Sequence, residues 1–137
     1  MAYLSLSPVS VGIFTALNVA ALTALATGGV HEDVPQGASY PLVWYEVRER
    51  DMRGFGTGGL PEVEIRVHAL SQYRGLSEAQ AIVQKAIELL RDQPLTVDGY
   101  TQAGLVFYDE TVNLGDQLLN GVKVKEIVAM FRTYVEE

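Results

Sequence analysis

Apolar and polar residues alternate most cleanly between Glu62 and Ser71. Val63, Ile65, Val67 and Ala69 fall on one side, and Glu62, Glu64, Arg66 and His68 on the other. A period of two marks a strand with one covered face. Just beyond, the period lengthens. From Ser77, residues Ala79, Ile82, Val83, Ala86, Leu89 and Leu90 form one helical stripe, with Glu78, Gln84, Lys85 and Glu88 opposite it. Ser77 followed by Gln80 reads as a capping box, and Pro94 as the stop. Upstream, Leu42 to Glu49 alternates again. Val43, Tyr45 and Val47 face away from Trp44, Glu46 and Arg48. Two adjacent aromatics on opposite faces mean that at least one lies outside the main core. It sits either under a loop or helix, or against another subunit, where Trp and Tyr are enriched.

The two ends of the chain are harder to read. Residues 8–26 carry no charge. As a buried helix, this stretch takes Ser7 as N-cap, Pro8 at the first helical position and Gly28 or Gly29 as its left-handed stop. Ile13, Phe14, Leu17, Ala21, Leu22 and Leu25 then fall close to one face. As a membrane span it is diluted by Ser10, Gly12, Thr15, Asn18 and Thr23, and no Lys or Arg anchors it. As a signal peptide it offers Ala24-Leu25-Ala26 for cleavage but no basic residue ahead of it. Val30 to Tyr40 reads as a connector with turn residues Pro35, Gly37 and Ser39. Leu95 to Gly99 is a short strand or turn signalled by Asp98-Gly99. Ala103 to Val112 reads as a strand, Leu114 to Asn120 as a loop, and Val122 to Tyr134 as the last strand. In that strand the apolar phase shifts between Val124 and Ile127, implying a bulge or a partly buried second face. Ile127, Met130, Phe131 and Tyr134 also fit helical spacing.

Between the two central strands lies Arg50 to Gly59, with four glycines in its last six residues. No Lys-Ser/Thr follows Gly54-x-Gly56-x-Gly58-Gly59, so it is not a Walker loop. A strand follows where a dinucleotide-binding loop needs a helix. Two readings remain: a flexible hairpin loop, or an assembly loop in which Arg48, Arg50 and Arg53 supply positive charge and Phe55 an apolar tip. The polar row Glu62, Glu64, Arg66 and His68 is likewise either a solvated face or, with Trp44, a subunit interface.

Composition narrows the class. At 137 residues the chain suits one domain with a core that needs no staples. It has 48% apolar and 20% charged residues, which is globular. A net charge of -7 argues against a general nucleic-acid-binding surface. The lack of cysteine excludes disulfides, zinc thiolates and thiol catalysis. The two histidines, His31 and His68, share no ligand spacing, and His31-Glu32-Asp33 reads as an ordinary surface loop before a weak cation site. Asp109 and Glu110 are neighbours on a strand, so their side chains diverge. Nothing in these residues points to an enzyme, a cofactor or a metal. The expected fold is α+β: a single domain with a mixed or antiparallel sheet of about four strands, packed with two main helices.

The order of elements carries a resemblance. An apolar first helix leads into VPQGASYPLVWYEV, an Arg/Gly-rich loop, EVEIRVHALS, the helix GLSEAQAIVQKAIELL and a terminal strand VKEIVAMFRTYVEE. This resembles the tail completion family of long-tailed phages, also called tail terminator or tail-to-head joining proteins. The resemblance implies a structural virion protein of the tail and neck, assembled in the host cytoplasm. Such a protein forms a homo-oligomeric ring, a hexamer, that caps the tail tube protein and meets the head–tail connector while DNA passes through. It implies no membrane. It makes the loop of Arg48, Arg50, Arg53 and Phe55 a candidate contact with the tube or a neighbouring ring. It makes Trp44, Glu62, Glu64, Arg66 and His68 a candidate subunit interface. The competing class is a small secreted or membrane-anchored domain with residues 8–26 as signal or anchor.

Overall fold

A computed structural model of the chain describes residues 6–50, 62–95, 101–102, 105–119 and 121–136. The glycine-rich loop beyond Arg50, with Arg53 and Phe55, and the Asp98-Gly99 turn lie outside the described residues. The elements run α1 (Leu6–Leu17), α2 (Ala20–Thr23), β1 (Val30–His31), β2 (Leu42–Arg50), β3 (Glu62–Ser71), α3 (Ser77–Leu90), β4 (Thr101–Gln102), β5 (Phe107–Leu119) and β6 (Val122–Glu136). The strands form one mixed sheet in the order β1-β2-β3-β6, with β4 and β5 both pairing the far side of β6. Only β1 runs parallel to its neighbour. The fold is α+β, as its alternating pattern implies.

One face of the sheet carries the core. Val43 and Tyr45 of β2, Val63, Ile65, Val67 and Ala69 of β3, and Ile127, Ala129 and Phe131 of β6 are buried there. The helices cover them. On α3, Ala79, Ile82, Val83, Ala86 and Leu90 are buried as a stripe, and each large side chain so covered contributes about 1.5–3 kcal/mol relative to exposure. The capping box does not form: Leu76 is the N-cap, and no side chain caps the helix. Glu78 accepts instead from the hydroxyl of Ser71, at 2.6 Å, tying the first turn of α3 to the end of β3. At the far end the helix stops at Leu90, ahead of Pro94. Asp92 takes a left-handed φ of 58°, and its N–H donates to the carbonyl of Val106.

The first apolar stretch is helical, but it is not one helix. Val9, Ile13 and Leu17, four residues apart, form the buried stripe of α1. The chain then turns at Val19, which is extended with φ -125° and ψ 156°, and Leu22 and Ala26 re-enter the core from α2 and the turn after it. Phe14 (38%) lies off the stripe of α1 and is exposed, and beyond the break Ala21 and Leu25 (39%) are exposed as well, rather than buried as expected. Helix α1 starts at Leu6, which puts Ser7 inside the helix rather than at its cap. Removing these residues would open the core, since Ile13, Leu17 and Leu22 are fully buried in it. Among the described residues, no helix is long and apolar enough to cross a membrane.

Gly28 and Gly29 serve two different needs. Gly29 has φ +92°. Gly28 lies against the start of β2: its N–H donates to the carbonyl of Pro41 at 2.7 Å, and a Cβ there would come within 1.9 Å of the Ser39 carbonyl. The connector expected over Val30 to Tyr40 therefore begins with strand β1, which pairs Val30 with Val43 and His31 with Trp44.

The largest departure is at the C-terminal end. Leu114 to Asn120 was expected as a loop, yet β5 continues to Leu119 and pairs with β6 as a long hairpin whose closing pair is Leu119 and Val122. Gly121 supplies the positive φ, +78°, that a two-residue hairpin turn requires. The irregularities lie on β5, which carries an extra residue at Asp109 and another at Leu114, while β6 pairs β3 without a slip from Lys125 to Tyr134. The phase shift near Val124 in β6 has the other cause: its second face is buried too, with Val124, Glu126 and Val128 as covered as Ile127.

Candidate assembly surface

The sheet's second face, away from α1 and α3, holds every polar residue singled out in β2 and β3. Register fixes its rows. Trp44 lies beside His68 and Val128; Glu46 beside Arg66 and Met130; Arg48 beside Glu64 and Arg132; Arg50 beside Glu62 and Tyr134. The side chain of Arg50 lies outside the described residues.

One end of this face is closed. Leu42, Leu70 and Val124 form a second apolar cluster, with Val34, Ala38 and Tyr40 of the connector packed against it. Beside the cluster, His68 is buried between two carboxylates. Its Nδ1 is 2.7 Å from Glu126 and its Nε2 2.8 Å from Glu46. Trp44 stacks on the imidazole with centroids 4.0 Å apart and planes 11° from parallel. A ring with a carboxylate at each nitrogen either carries both protons or receives one from a carboxylic acid, and in both cases the three groups form one hydrogen-bonded unit. Burial on this scale is kept only where charges are paired. His68 is thus a structural clamp joining β2, β3 and β6 across the sheet. Glu62 is buried as well. The expected solvated row is therefore half interior.

Toward the other end, short of buried Glu62, the face is part-exposed and charged. Arg66 pairs with Glu64 at 2.8 Å. Arg48 is exposed. Arg132 reaches Asp109 at 3.3 Å and lies over the Phe107 ring at 6.0 Å. Along the row from β2 to β5 the signs alternate: Arg48, Glu64, Arg132, Asp109. These last partners were missed in the sequence because they come from β5 and β6, whose pairing was not legible there.

The sheet's two edges are the other exposed features. Strand β1 covers β2 only at Val43 and Trp44. Among the described residues, β2 from Glu46 onward and the whole of β5 have a strand on one side only. Leu105, Phe107, Leu114 and Leu118, 43–73% exposed, lie on or beside β5. Near the hairpin tip, Asp116 pairs with Lys125 at 2.6 Å, and this hydrogen bond holds its carboxyl below the usual range.

A hydroxyl network joins α1 to the β2 edge. The Tyr45 hydroxyl donates to the Ser10 carbonyl at 3.2 Å, and Ser10 Oγ donates to Glu32. Burial, with a contribution from the Glu32 charge, raises the Tyr45 phenol above its ordinary value of 10.0, against the opposing hydrogen bond from Ser10. Among the described residues, no three His, Asp or Glu side chains are grouped so as to hold a metal ion. The concave regions mix polar and apolar walls, such as the one between α2 and α3 lined by Leu25, Tyr73, Glu78 and Ile82. Among the described residues, this surface combines charge pairs, the exposed Arg48 and two open strand edges.

Residues 11–136 match the profile of a family described as tail completion protein gp17. No curated protein matches the chain. Among solved structures, a chain from the virion of a native gene transfer agent particle has the same fold. It superposes with a TM-score of 0.75 at 18% identity, over 97% of this chain and 100% of that one.

Proposed function

The chain belongs to the tail completion protein gp17 family, a family of structural virion proteins and not of enzymes, and from that premise we propose that it acts as a tail terminator. Six copies form a ring that caps the finished tail tube and presents a surface to the head–tail connector, with DNA passing through the opening. The observation that carries this reading is the family match, which spans residues 11–136 and therefore every element except the first turns of α1. The shared fold with a chain of a gene transfer agent virion supports it.

Two surfaces serve the assembly. The basic end of β2, Arg48 and Arg50, with Arg53 and Phe55 beyond it, meets the tube or an adjoining ring. The helix-free sheet face meets neighbouring subunits through its part-exposed residues Trp44, Glu64 and Arg66, while buried His68 and Glu62 hold that face in shape. The net charge of -7 suits a ring through which DNA moves without sticking.

The test is native mass across a concentration series. Six copies of the 15.0 kDa chain, alone or on tail tubes, is the expected result. A chain that stays monomeric in both settings overturns the ring. Charge reversal at Arg53 is expected to lower binding to tubes; unchanged binding would remove that loop from the contact.

A further inference from the structure

We propose that neighbouring subunits join edge to edge, the open edge of β2 in one copy pairing antiparallel with β5 of the next, so that the ring is lined by one continuous β-sheet. This rests on the ring reading and revises its contacts: Arg48 belongs to the subunit seam rather than to the tube contact, and the helix-free face with Trp44, Glu64 and Arg66 turns toward the bore.

Strand direction comes first. Three antiparallel junctions separate β2 from β5: β2/β3, β3/β6 and β6/β5. The two edges therefore run in opposite directions. Rotation about an axis along the strands preserves direction, so a neighbour's β2 arrives beside β5 antiparallel to it, and the alternation continues without interruption. Cyclic rings need such a heterologous contact, one edge meeting a different edge. Unpaired N–H and C=O groups on both edges supply the hydrogen bonds.

Charge selects the same pairing. Strand β5 carries Asp109, Glu110 and Asp116 and no basic residue. Pairing β5 with another β5 would oppose like charges. Exposed Arg48 on β2 faces no such penalty. The row Arg48, Glu64, Arg132, Asp109 alternates in sign across one subunit, and the next copy's Arg48 continues it. A cleft lined by Val11, Glu32, Tyr45 and Val47 opens at the β2 edge where β1 stops, leaving room for an added strand.

Size agrees. Four long strands from each of six copies, at about 4.8 Å per strand, give a circumference of about 115 Å and a backbone diameter of about 37 Å. At the charged end of the helix-free face, side chains about 5 Å deep on each wall leave a bore of about 27 Å, wide enough for a DNA duplex, and the connector packed over Leu42, Leu70 and Val124 narrows the other end. Strand tilt widens it further.

The chain has no cysteine, so Arg48→Cys with Glu110→Cys gives a clean crosslinking pair. Within one subunit these positions are three strand spacings apart, about 14 Å at the usual spacing, beyond the reach of a disulfide. Oxidation is expected to yield a ladder ending at six covalently linked chains on a non-reducing gel. A six-copy native mass with no ladder, both for this pair and for Arg48→Cys with Val112→Cys, overturns the seam and leaves the ring. A monomer at every concentration, alone and on tail tubes, overturns both. Independently, Arg48→Glu is expected to raise the assembly midpoint concentration at least tenfold, and adding Glu110→Arg to restore it. Thermal unfolding of each variant must match that of the parent. Arg48→Glu assembling like the parent would overturn the seam.

Discussion

At the residue scale, the tightest polar arrangement is the clamp of His68 between Glu126 and Glu46. Its energetics follow from burial. Glu126 is 6% exposed, so losing its partner leaves a carboxylate with little water. His68→Ala is expected to lower stability by about 3 kcal/mol, the range for a buried pair broken from one side, read as a lower urea midpoint. An unchanged midpoint would show that Glu126 is solvated. Tyr45 makes a prediction about pH. Its folded-state phenol is raised above 10.0, chiefly by burial, so the folded chain holds that proton more tightly than the unfolded one. The contribution is complete below pH about 10 and is lost as pH rises through the folded value. Unfolding midpoints should fall on the alkaline side, and Tyr45→Phe should remove that part of the fall. A Tyr45→Phe profile identical to the parent's would exclude Tyr45 as the source.

At the scale of elements, two backbone approaches decide how pieces meet. Gly28 brings the turn after α2 against the start of β2, where a Cβ would lie 1.9 Å from the Ser39 carbonyl and 2.8 Å from that of Pro41. Both obstacles are backbone and cannot swing away. Gly28→Ala is expected to cost about 2 kcal/mol, as overpacking does, measured by thermal unfolding; a neutral result would mean that the connector shifts freely. Gly121 closes the β5–β6 hairpin with φ +78° and open space around it. There Gly121→Ala meets no clash and pays only for the left-handed backbone, about 1 kcal/mol. A larger loss at Gly28 than at Gly121 is the expected order. The element pattern also explains how a long edge strand is kept safe in a single chain. Two bulges and three acidic residues interrupt β5, and both devices discourage indiscriminate pairing.

At the scale of the whole molecule, helices cover one face of the sheet, and the other is apolar at one end and charged at the other. This leaves edges and charge as the means of association. Electrostatic contacts between exposed groups weaken with salt over a Debye length of about 10 Å at 0.1 M. Assembly of the ring is therefore expected to need higher protein concentration as salt rises from 50 to 500 mM, measured by sedimentation. Salt-independent assembly would instead assign the contact to apolar residues such as Leu114 and Leu118, which are 43% and 73% exposed.

What the sequence by itself determined is local. The strand from Glu62 and the helix from Ser77 to Leu90 were legible because the apolar residues of each keep to one face, so its period appears in the order of residues, even though β3 also buries Glu62 and His68 on its other face. The opposite-facing Trp44 and Tyr45 were legible for the same reason: Tyr45 is in the main core, and Trp44 packs on the second face. The hairpin was missed because exposure on β5 and two bulges erase the alternation, although Asn120-Gly121 between Leu119 and Val122 was a turn signal in plain view. The break in the first helix at Val19 had no signal of composition; packing of Leu22 and Ala26 into the core decided it. Tertiary structure alone decided the surface. His68 meets Glu126 from a strand 58 residues away, and Arg132 meets Asp109 across the hairpin. Such pairs depend on register and strand order, which are set by the sum of long-range contacts and leave no local periodicity to read.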